Sequence, residues 1–263
     1  MSARLWWDHE VVSVVIRGGA AQRLVVEPGD RVRATGRFMR FPDGDWLDLA
    51  QVVAIAYRPS KGPRAFQLLG ADAAAVPDGS DRSLIPDHLR VVGVWHGDAI
   101  TVEEQEPVPW PPRTIPPPLF TGDEPAGGWD NSQQLRDVDG LQQLRDAGQI
   151  VRDGWLRTNN DALILRVAAS DVDAVEAVLA PQLPRRLYVV RSRYTAAQLR
   201  EVEEMFAAHY EEWGFESWSC TNLDAQTQPY ADAMLVRVTA SLATWAENLP
   251  DGLLILTPAM TPA

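Results

Sequence analysis

Cysteine and lysine are nearly missing from this sequence, and the shortage of cysteine limits its chemistry. Cys220 is the single cysteine among 263 residues, so the chain forms no internal disulfide. No histidine or asparagine accompanies it in a recognisable catalytic motif, which predicts a small buried apolar residue rather than a nucleophilic thiol. Lys61 is the single lysine beside 23 arginines, a bias typical of a high-GC genome.

Long hydrophobic runs are missing as well. A bilayer-spanning helix needs about 18 to 20 consecutive apolar residues, and no stretch of the sequence approaches that length. The first residues, Met1 to Asp8, also lack the apolar core and small-residue cleavage site of a signal peptide. We therefore expect a cytoplasmic protein without a membrane segment.

Recognisable catalytic and cofactor motifs are absent too. The sequence contains no glycine-rich nucleotide fingerprint, no phosphate loop ending in Gly-Lys-Ser/Thr, no Gly-x-Ser-x-Gly and no His-Glu-x-x-His. One cysteine and four scattered histidines do not provide the spacing of a metal site. No catalytic residue, cofactor or metal ligand is predicted, and this favours a non-enzymatic role.

Positive charge is scarce in the second part of the chain. Residues 120–263 carry 11 basic and 21 acidic side chains, whereas residues 1–119 carry 13 and 15, and the net charge is −12. Such an acidic chain opposes non-specific binding to nucleic acid, because neutralisation of phosphates by arginine and lysine supplies most of that affinity. The argument is weaker for the first part, whose charges nearly balance.

Proline is concentrated in one segment, Pro107–Phe120, where seven of fourteen residues are proline. Proline ends helices and central strands, so the segment predicts an extended spacer. The alternative is a docking peptide for a partner that reads polyproline. On this basis we predict a first domain over residues 1–106, a Pro/Gly-rich linker over 107–131 and a second domain over 132–263.

The first domain is dominated by predicted strands. In Arg31–Arg37 polar and apolar residues alternate, as in a half-buried strand. Asp43-Gly44 and Gly97-Asp98 fit hairpin turns, because these residue types accept a positive φ. The recurring order of a Val-x-Val/Ala-x-Gly strand, a turn and an apolar strand resembles small closed β-barrels of the OB type, in which glycine permits sharp coiling of the strands.

The second domain mixes helices and strands. Thr195-x-x-Gln198 fits a capping box for the longest helix, and Ser170 is predicted to cap a shorter helix, Asp171–Leu179. From about residue 187 the order of elements predicts a βαββαβ, ferredoxin-like sandwich. The whole chain is thus predicted to be α+β, with an OB-like β-barrel joined by a Pro-rich linker to a ferredoxin-like domain.

Arginines on one predicted strand form a candidate nucleic-acid site. Arg31, Arg33 and Arg37 lie on the same side of that strand. In an OB-like barrel this face could track a phosphate backbone, with Trp46 or Trp95 as a base-stacking platform. The alternative is a solvated face whose arginines pair with nearby carboxylates, and the balanced charge of the first domain favours that alternative.

Three other polar clusters have ordinary structural interpretations. Asp43, Asp45 and Asp48 lack the closing glutamate of a calcium loop and fit a solvated hairpin. His209 and Glu212 lie three residues apart, which predicts an ion pair on a helix surface. Four arginines flank the strand after residue 186 and fit either an acidic ligand or the glutamates of the next helix. They are Arg185, Arg186, Arg191 and Arg193.

Ten tryptophans are many for this length, and several fall outside predicted helices and strands. Large indole rings in irregular segments stay ordered by packing against other apolar surface, either a domain seam or a partner. The leading interpretation is a non-enzymatic binding or scaffold protein that uses aromatic surface to hold a protein partner or a second copy of itself. The candidate partner-binding residues are Trp6, Trp7, Trp110 and Trp129.

Two alternatives stay open. The first is single-strand nucleic-acid binding by the OB-like barrel through Arg31, Arg33, Arg37 and Trp46. The second is an enzyme or small-ligand receptor with its site between the two domains.

Several segments resemble known sequences, namely VVEPGDRVRATGR, LRVVGVWHGD and RLYVVRSRYTAAQL with LPDGLLILTPAMTP. They are similar to a family of high-GC bacterial proteins, and the resemblance covers much of the chain. It implies no activity, substrate or site residue.

Overall fold

The computed structural model describes residues 13–49, 64–78, 80–81, 83–109, 138–158 and 162–263. These residues form mostly strands and a few helices, so the predicted mixed α+β class is confirmed. The strands are β1 (Val14–Val15), β2 (Arg31–Phe41), β3 (Gly44–Asp48), β4 (Ala65–Leu69), β5 (Leu84–Trp95), β6 (Ala99–Pro109), β7 (Ile150–Arg157), β8 (Leu163–Ala169), β9 (Leu187–Arg191), β10 (Phe215–Leu223), β11 (Pro229–Arg237) and β12 (Leu254–Pro262). The α-helices are α1 (Leu141–Asp146), α2 (Val172–Leu179), α3 (Ala196–Ala208) and α4 (Ala240–Ala246), and short 3₁₀ turns lie at Gln22–Leu24 and Ala73–Ala75.

The chain divides into two compact units. The first unit comprises Met1–Thr114, His209–Trp218 and Ala233–Ala263, and the second comprises Ile115–Ala208 and Ser219–Asp232. Each unit is therefore assembled from segments that are separated along the sequence.

Most of the linker predicted at 107–131 lies outside the described residues. Its first three residues, Pro107 to Pro109, continue β6, where Pro107 lies opposite Leu89 of β5. The domain borders drawn from the proline content stay a prediction.

Five strands of the first unit close into a ring. β2 pairs antiparallel with both β3 and β5, β3 pairs antiparallel with β4, β4 runs parallel to β6, and β6 returns antiparallel to β5. Along β2, buried Val32 and Ala34 alternate with exposed Arg31 and Arg33, which confirms the predicted half-buried strand. The core of this unit includes Leu47, Phe66, Leu68, Leu89, Val91, Trp95 and Ile100.

Two glycines allow strands of the ring to approach each other closely. A Cβ atom on Gly36 would collide with the carbonyl oxygen of Asp48, and one on Gly93 would collide with that of Thr101. Gly93 also follows a register shift between β5 and β6. Both positions therefore require a residue without a side chain, as expected for strongly coiled strands.

The C-terminal strand completes the sheet of the first unit. β12 pairs antiparallel with β2, with Met260 opposite Ala34, and with β1, with Leu256 opposite Val14. The parts of β10 and β11 that belong to this unit lie beyond β12 in the strand order.

The second unit is built on a three-stranded sheet in the order β7-β8-β9. β7 and β8 are antiparallel, whereas β8 and β9 are parallel and are connected through α2. Apolar side chains of α1 and α2 form one core with side chains of the sheet. The members of this core include Leu144, Ile150, Leu165, Val167, Val175 and Leu179.

The pairing of the later strands differs from a ferredoxin-like sheet. From Leu187 the elements follow in the predicted order of strand, helix, strand, strand, helix and strand. β9 nevertheless pairs with β8, while β10, β11 and β12 belong to the larger sheet. Local periodicity specifies that a segment is a strand but not which distant strand it will join, and β12 joins a strand more than 200 residues away.

Helix ends follow local side-chain chemistry. The capping box is confirmed, because Gln198 N–H donates to Thr195 Oγ1 at 3.2 Å and Thr195 N–H donates to Gln198 Oε1 at 2.8 Å. The cap predicted for α2 is wrong by one residue, since Asp171 Oδ1 accepts from the helix and Ser170 Oγ instead donates to a carbonyl before β7. The longest helix that the structure describes, α3, has 13 residues and is too short to cross a bilayer.

Candidate functional site

The arginines predicted to track a phosphate backbone lie on the outer side of β2, where two of them form ion pairs. Arg31 donates from Nε to Glu103 and from Nη2 to Glu104, both at 2.8 Å. The hydrogen bond to Glu103, followed by the charges of both carboxylates, raises the pKa of the Arg31 guanidinium above its ordinary value. Arg37 lies 3.6 Å from a carboxylate oxygen of Asp87. The positive charge on this face is therefore compensated at both ends of the row.

Arg33 lies between these two residues and lines a cleft of about 340 Å³. The same cleft is lined by Arg90, Glu104 and Glu106, and Arg90 Nη1 donates to Glu106 Oε1 at 2.7 Å. These four side chains contribute equal numbers of positive and negative charges. The cleft therefore does not concentrate positive charge for a phosphate.

The two candidate stacking platforms occupy different environments. Trp46 is half-buried on β3 and lies opposite Met39, two residues beyond Arg37 on β2. Arg33 is six residues from Met39, a separation of about 20 Å along a strand, so the structure brings Trp46 near Arg37 but not near Arg33. Trp95 is 3% exposed. Alternate residues of a strand share a face, and Trp95 lies on the same face of β5 as the core residues Leu89 and Val91. Trp95 therefore points into the core, and its interpretation as a stacking platform is wrong.

The four tryptophans predicted to anchor a partner, Trp6, Trp7, Trp110 and Trp129, lie outside the described residues. Their role stays a prediction. Within the described part of the chain, Tyr188 and Tyr210 are aromatic side chains with more than a third of their surface exposed.

The aspartates around β3 lie in different environments. Asp45 accepts from Arg40 Nε at 3.0 Å, whereas Asp48 is 3% exposed. Across the described ranges, no group of three or more histidine, cysteine, aspartate or glutamate side chains is placed to hold a metal ion.

The predicted burial of Cys220 and the predicted pairing of His209 with Glu212 are confirmed, but the pair lies after the end of the helix and not on its surface. Cys220 is 2% exposed, and burial raises the pKa of its thiol to about 12. His209 Nδ1 donates to Glu212 Oε2 at 2.7 Å, and this hydrogen bond lowers the pKa of the Glu212 carboxyl below its ordinary value. The pair lies on the turn that follows α3, where the His209 ring also stacks on Trp213 with ring centres 4.6 Å apart. Both residues therefore have structural roles.

The arginines around β9 are only partly engaged. Arg191 Nη1 donates to a carbonyl oxygen just before α2 at 3.0 Å, and Arg193 Nη2 donates to Gln226 Oε1 at 3.4 Å. Arg185 and Arg186 form no side-chain hydrogen bond or ion pair with any residue that the structure describes. The alternative in which these arginines pair with the glutamates of α3 is therefore wrong for the described part of the chain.

One edge of β9 has no strand partner among the described residues. Arg186 C=O accepts from β8 and Ser192 N–H donates to β8, each at 2.8 Å, so even-numbered residues of β9 form the ladder with β8. Successive residues of a strand direct their backbone groups to opposite edges. The N–H and C=O groups of Leu187 and Val189 therefore point away from β8, towards the open edge.

The side chain of Gln228 occupies the next position on this edge. Its Nε2 donates to the carbonyl of Arg191 at 3.1 Å, and its Oε1 accepts from the backbone N–H of Arg193 at 2.9 Å. Gln228 is 8% exposed, so this amide substitutes for one peptide unit of a neighbouring strand. The role of Gln228 could not be predicted from the sequence, because this residue lies more than 30 positions from the backbone groups it binds and belongs to no local motif.

No protein-family model matches the chain, and no curated protein matches it significantly. The function must therefore be inferred from the geometry.

Proposed function

We propose that this chain is a non-enzymatic protein-binding protein whose open β9 edge pairs with an extended, acidic segment of a partner. The observation that carries the proposal is the row of outward backbone groups at Leu187 and Val189, beside the position filled by the Gln228 amide. A peptide strand added to an exposed sheet edge gains main-chain hydrogen bonds of this kind. Each such bond contributes about 1 kcal/mol net.

The side chains around the edge specify the chemistry of the partner. Arg185 and Arg186 precede β9 without a carboxylate partner among the described residues, and guanidinium groups bind carboxylates with two parallel hydrogen bonds. Tyr188 is 37% exposed in the middle of the strand and offers an aromatic contact for a cross-strand apolar residue. A segment that alternates acidic and apolar residues fits this combination.

The remaining elements of the chain support the same class of function. The closed ring of five strands supports the proposal of an OB-type barrel, a scaffold that often carries binding loops. We retain Trp6, Trp7, Trp110 and Trp129 as candidate anchors for a partner or for a second copy of the chain.

Single-strand nucleic-acid binding receives less support. It requires that Arg31, Arg33 and Arg37 contact phosphates while Trp46 stacks on a base. Arg31 and Arg37 would first have to leave their carboxylate partners, and the chain carries a net charge of −12. Both features oppose phosphate binding.

The proposal is tested with a fluorescein-labelled peptide of four Glu-Val repeats, whose binding is followed by fluorescence anisotropy. We expect saturable binding to the native protein and weakening by about tenfold in Val189→Pro, which removes one outward N–H and blocks the edge. Val189→Thr keeps the N–H and the branched shape, so its affinity should stay within about threefold of the native value. A Lys-Val peptide of equal length should bind more weakly.

A charge-reversal variant tests the same edge without altering the strand. Arg185→Glu combined with Arg186→Glu should weaken the Glu-Val peptide by about tenfold at low salt, whereas Arg17→Glu, on an exposed residue of the first unit, should not. Thermal melting establishes that each variant is folded. Equal affinity in Val189→Pro and Val189→Thr, or salt-sensitive binding of a labelled oligonucleotide without binding of the peptide, overturns the proposal.

A further inference from the structure

The second unit contains a cleft of about 410 Å³ between β7 and α3. Its volume lies in the range of small-molecule sites, which is about 300–1,000 Å³. Ile150 and Leu199, each no more than 3% exposed, form part of its apolar floor. Three arginines line it, Arg145, Arg152 and Arg200. The cleft is separate from the β9 edge, and its ligand would differ in class from a peptide.

A bulge in β7 aims Arg152 into this cleft. Ile150 lies opposite Ala169, but Arg152 lies opposite Ala168, so Val151 is an extra residue in the ladder. Without it, Arg152 would share the face of Ile150, which packs against α1 and α2. The bulge instead turns Arg152 to the opposite face of β7, from which it lines the cleft. Bulges occur preferentially where a side chain is redirected next to a site.

The three arginines differ in how their charges are used. Arg145 donates from Nε and Nη2 to the two carboxylate oxygens of Asp153, at 2.8 and 2.7 Å. This hydrogen-bonded pair raises the pKa of the Arg145 guanidinium and keeps Asp153 occupied. Arg145 therefore serves as a fixed wall of the cleft rather than as a free cation.

Arg152 and Arg200 retain unused hydrogen-bonding capacity. The Nε–H of Arg152 is inaccessible to solvent and has no hydrogen-bond partner among the described residues. Arg200 is exposed on the second turn of α3, and its side chain forms no hydrogen bond or ion pair with any described residue. The terminal Nη groups of Arg152 also form no hydrogen bond with a described residue, but they are accessible to solvent, so an anion bound in the cleft can accept hydrogen bonds from them.

The other polar groups in the cleft suit hydroxyl groups. Glu203, one turn beyond Arg200, has no ion pair among the described residues and can accept hydrogen bonds from a ligand. The Thr221 hydroxyl lies in the same wall, 2.9 Å from Ser219 Oγ. No residue described around the cleft is aromatic, so a nucleobase would find no stacking surface there.

We propose that this cleft binds a small phosphorylated polyol, with Arg152 and Arg200 on the phosphate and Glu203 on a hydroxyl group. Arg152, Arg200 and Glu203 sum to one positive charge, and a phosphomonoester carries a charge of about −1.5 to −2 at neutral pH. The phosphate supplies acceptors for the two guanidiniums. The hydroxyl groups supply donors for the carboxylate.

The test uses glucose 6-phosphate as the probe, with isothermal titration calorimetry and amide chemical shifts as readouts. We expect saturable binding to the full chain and shifts confined to β7, α3 and the neighbourhood of Thr221. Arg200→Gln alters an exposed helix residue that has no partner to lose, and it should weaken binding by about tenfold, the loss of one charged hydrogen bond. Arg152→Gln should weaken binding at least as much. Arg185→Gln, away from the cleft, should leave it unchanged.

Other ligands separate the phosphate contacts from the hydroxyl contacts. Glu203→Gln should weaken glucose 6-phosphate more than inorganic phosphate, and glucose alone should not bind. Inorganic phosphate that binds as tightly as glucose 6-phosphate overturns the assignment of a polyol, and AMP that binds more tightly overturns it as well. Absence of binding, or binding that Arg200→Gln leaves unchanged, overturns the site. Each outcome is independent of the peptide experiment at β9.

Discussion

The thiol of Cys220 shows how burial determines the chemistry of one side chain. With the pKa of Cys220 raised to about 12 by burial, its thiolate fraction at pH 8 is on the order of one in ten thousand, whereas an unfolded cysteine is about one quarter ionised. We therefore predict that a thiol-specific disulfide reagent labels the native protein at least about a hundredfold more slowly than the protein in 6 M guanidinium chloride. Labelling is followed by absorbance. Equal rates in the two states would show that Cys220 is accessible and reactive.

At the scale of residues, sequence reasoning succeeded where the interacting groups are close along the chain. Thr195 and Gln198 cap α3, and His209 and Glu212 form the expected pair, because three residues of separation restrict both geometries. The open edge of β9 could not be predicted in this way. Its cap, Gln228, acts on backbone groups more than 30 positions away.

At the scale of elements, the coiling of β2 depends on the lack of a side chain at Gly36. A methyl group there would meet the backbone carbonyl of Asp48, which cannot move without breaking the ring. Gly36→Ala should lower the free energy of unfolding by about 2 kcal/mol, in the range of overpacked cores. Gly18→Ala is the matched control, because nothing lies within 4 Å of the added Cβ, and it should change stability by no more than about 0.5 kcal/mol. Urea unfolding of both variants measures the difference, and equal midpoints would contradict the close approach.

The strands of the ring could be recognised in the sequence. Of their pairings, only those between neighbouring strands joined by a short turn could be predicted. Alternation in β2 and the Asp-Gly and Gly-Asp turns predict local hairpins, since turn type and strand period act over few residues. The parallel pairing of β8 with β9 was not predicted. This pairing depends on a crossover connection through α2. The residues within β8 or β9 do not indicate which strand each will pair with.

At the scale of the whole molecule, the sheet of the first unit joins strands that lie far apart in the sequence. β12 pairs with β1 and β2, so residues more than 200 positions apart share one sheet. Such pairing carries a large loop-closure cost before its contacts form, so the first unit depends on β12 as well as on the strands before residue 110. The domain border predicted at residue 106 rests on proline content. Proline content can indicate a linker, but it cannot indicate that the distant strand β12 pairs with β1 and β2.

Met260, three residues before the end of the sequence, tests that dependence. Its side chain is fully buried in the core of the ring, opposite Ala34. Met260→Ala should therefore lower the stability of the first unit by about 2–4 kcal/mol, as for other buried large-to-small substitutions. Thr261→Ala, at the next residue on the opposite side of β12, should cost no more than about 0.5 kcal/mol.

Hydrogen exchange locates the effect of Met260→Ala within the chain. Exchange of the β2 amides, measured by mass spectrometry, should accelerate in Met260→Ala and stay near the native rate in Thr261→Ala, because opening of β12 exposes the ladder around Ala34. The three-stranded sheet of the second unit serves as an internal reference, since its strands share no ladder with β12. If both variants exchange at the native rate in β2, then the C-terminal strand does not stabilise the ring.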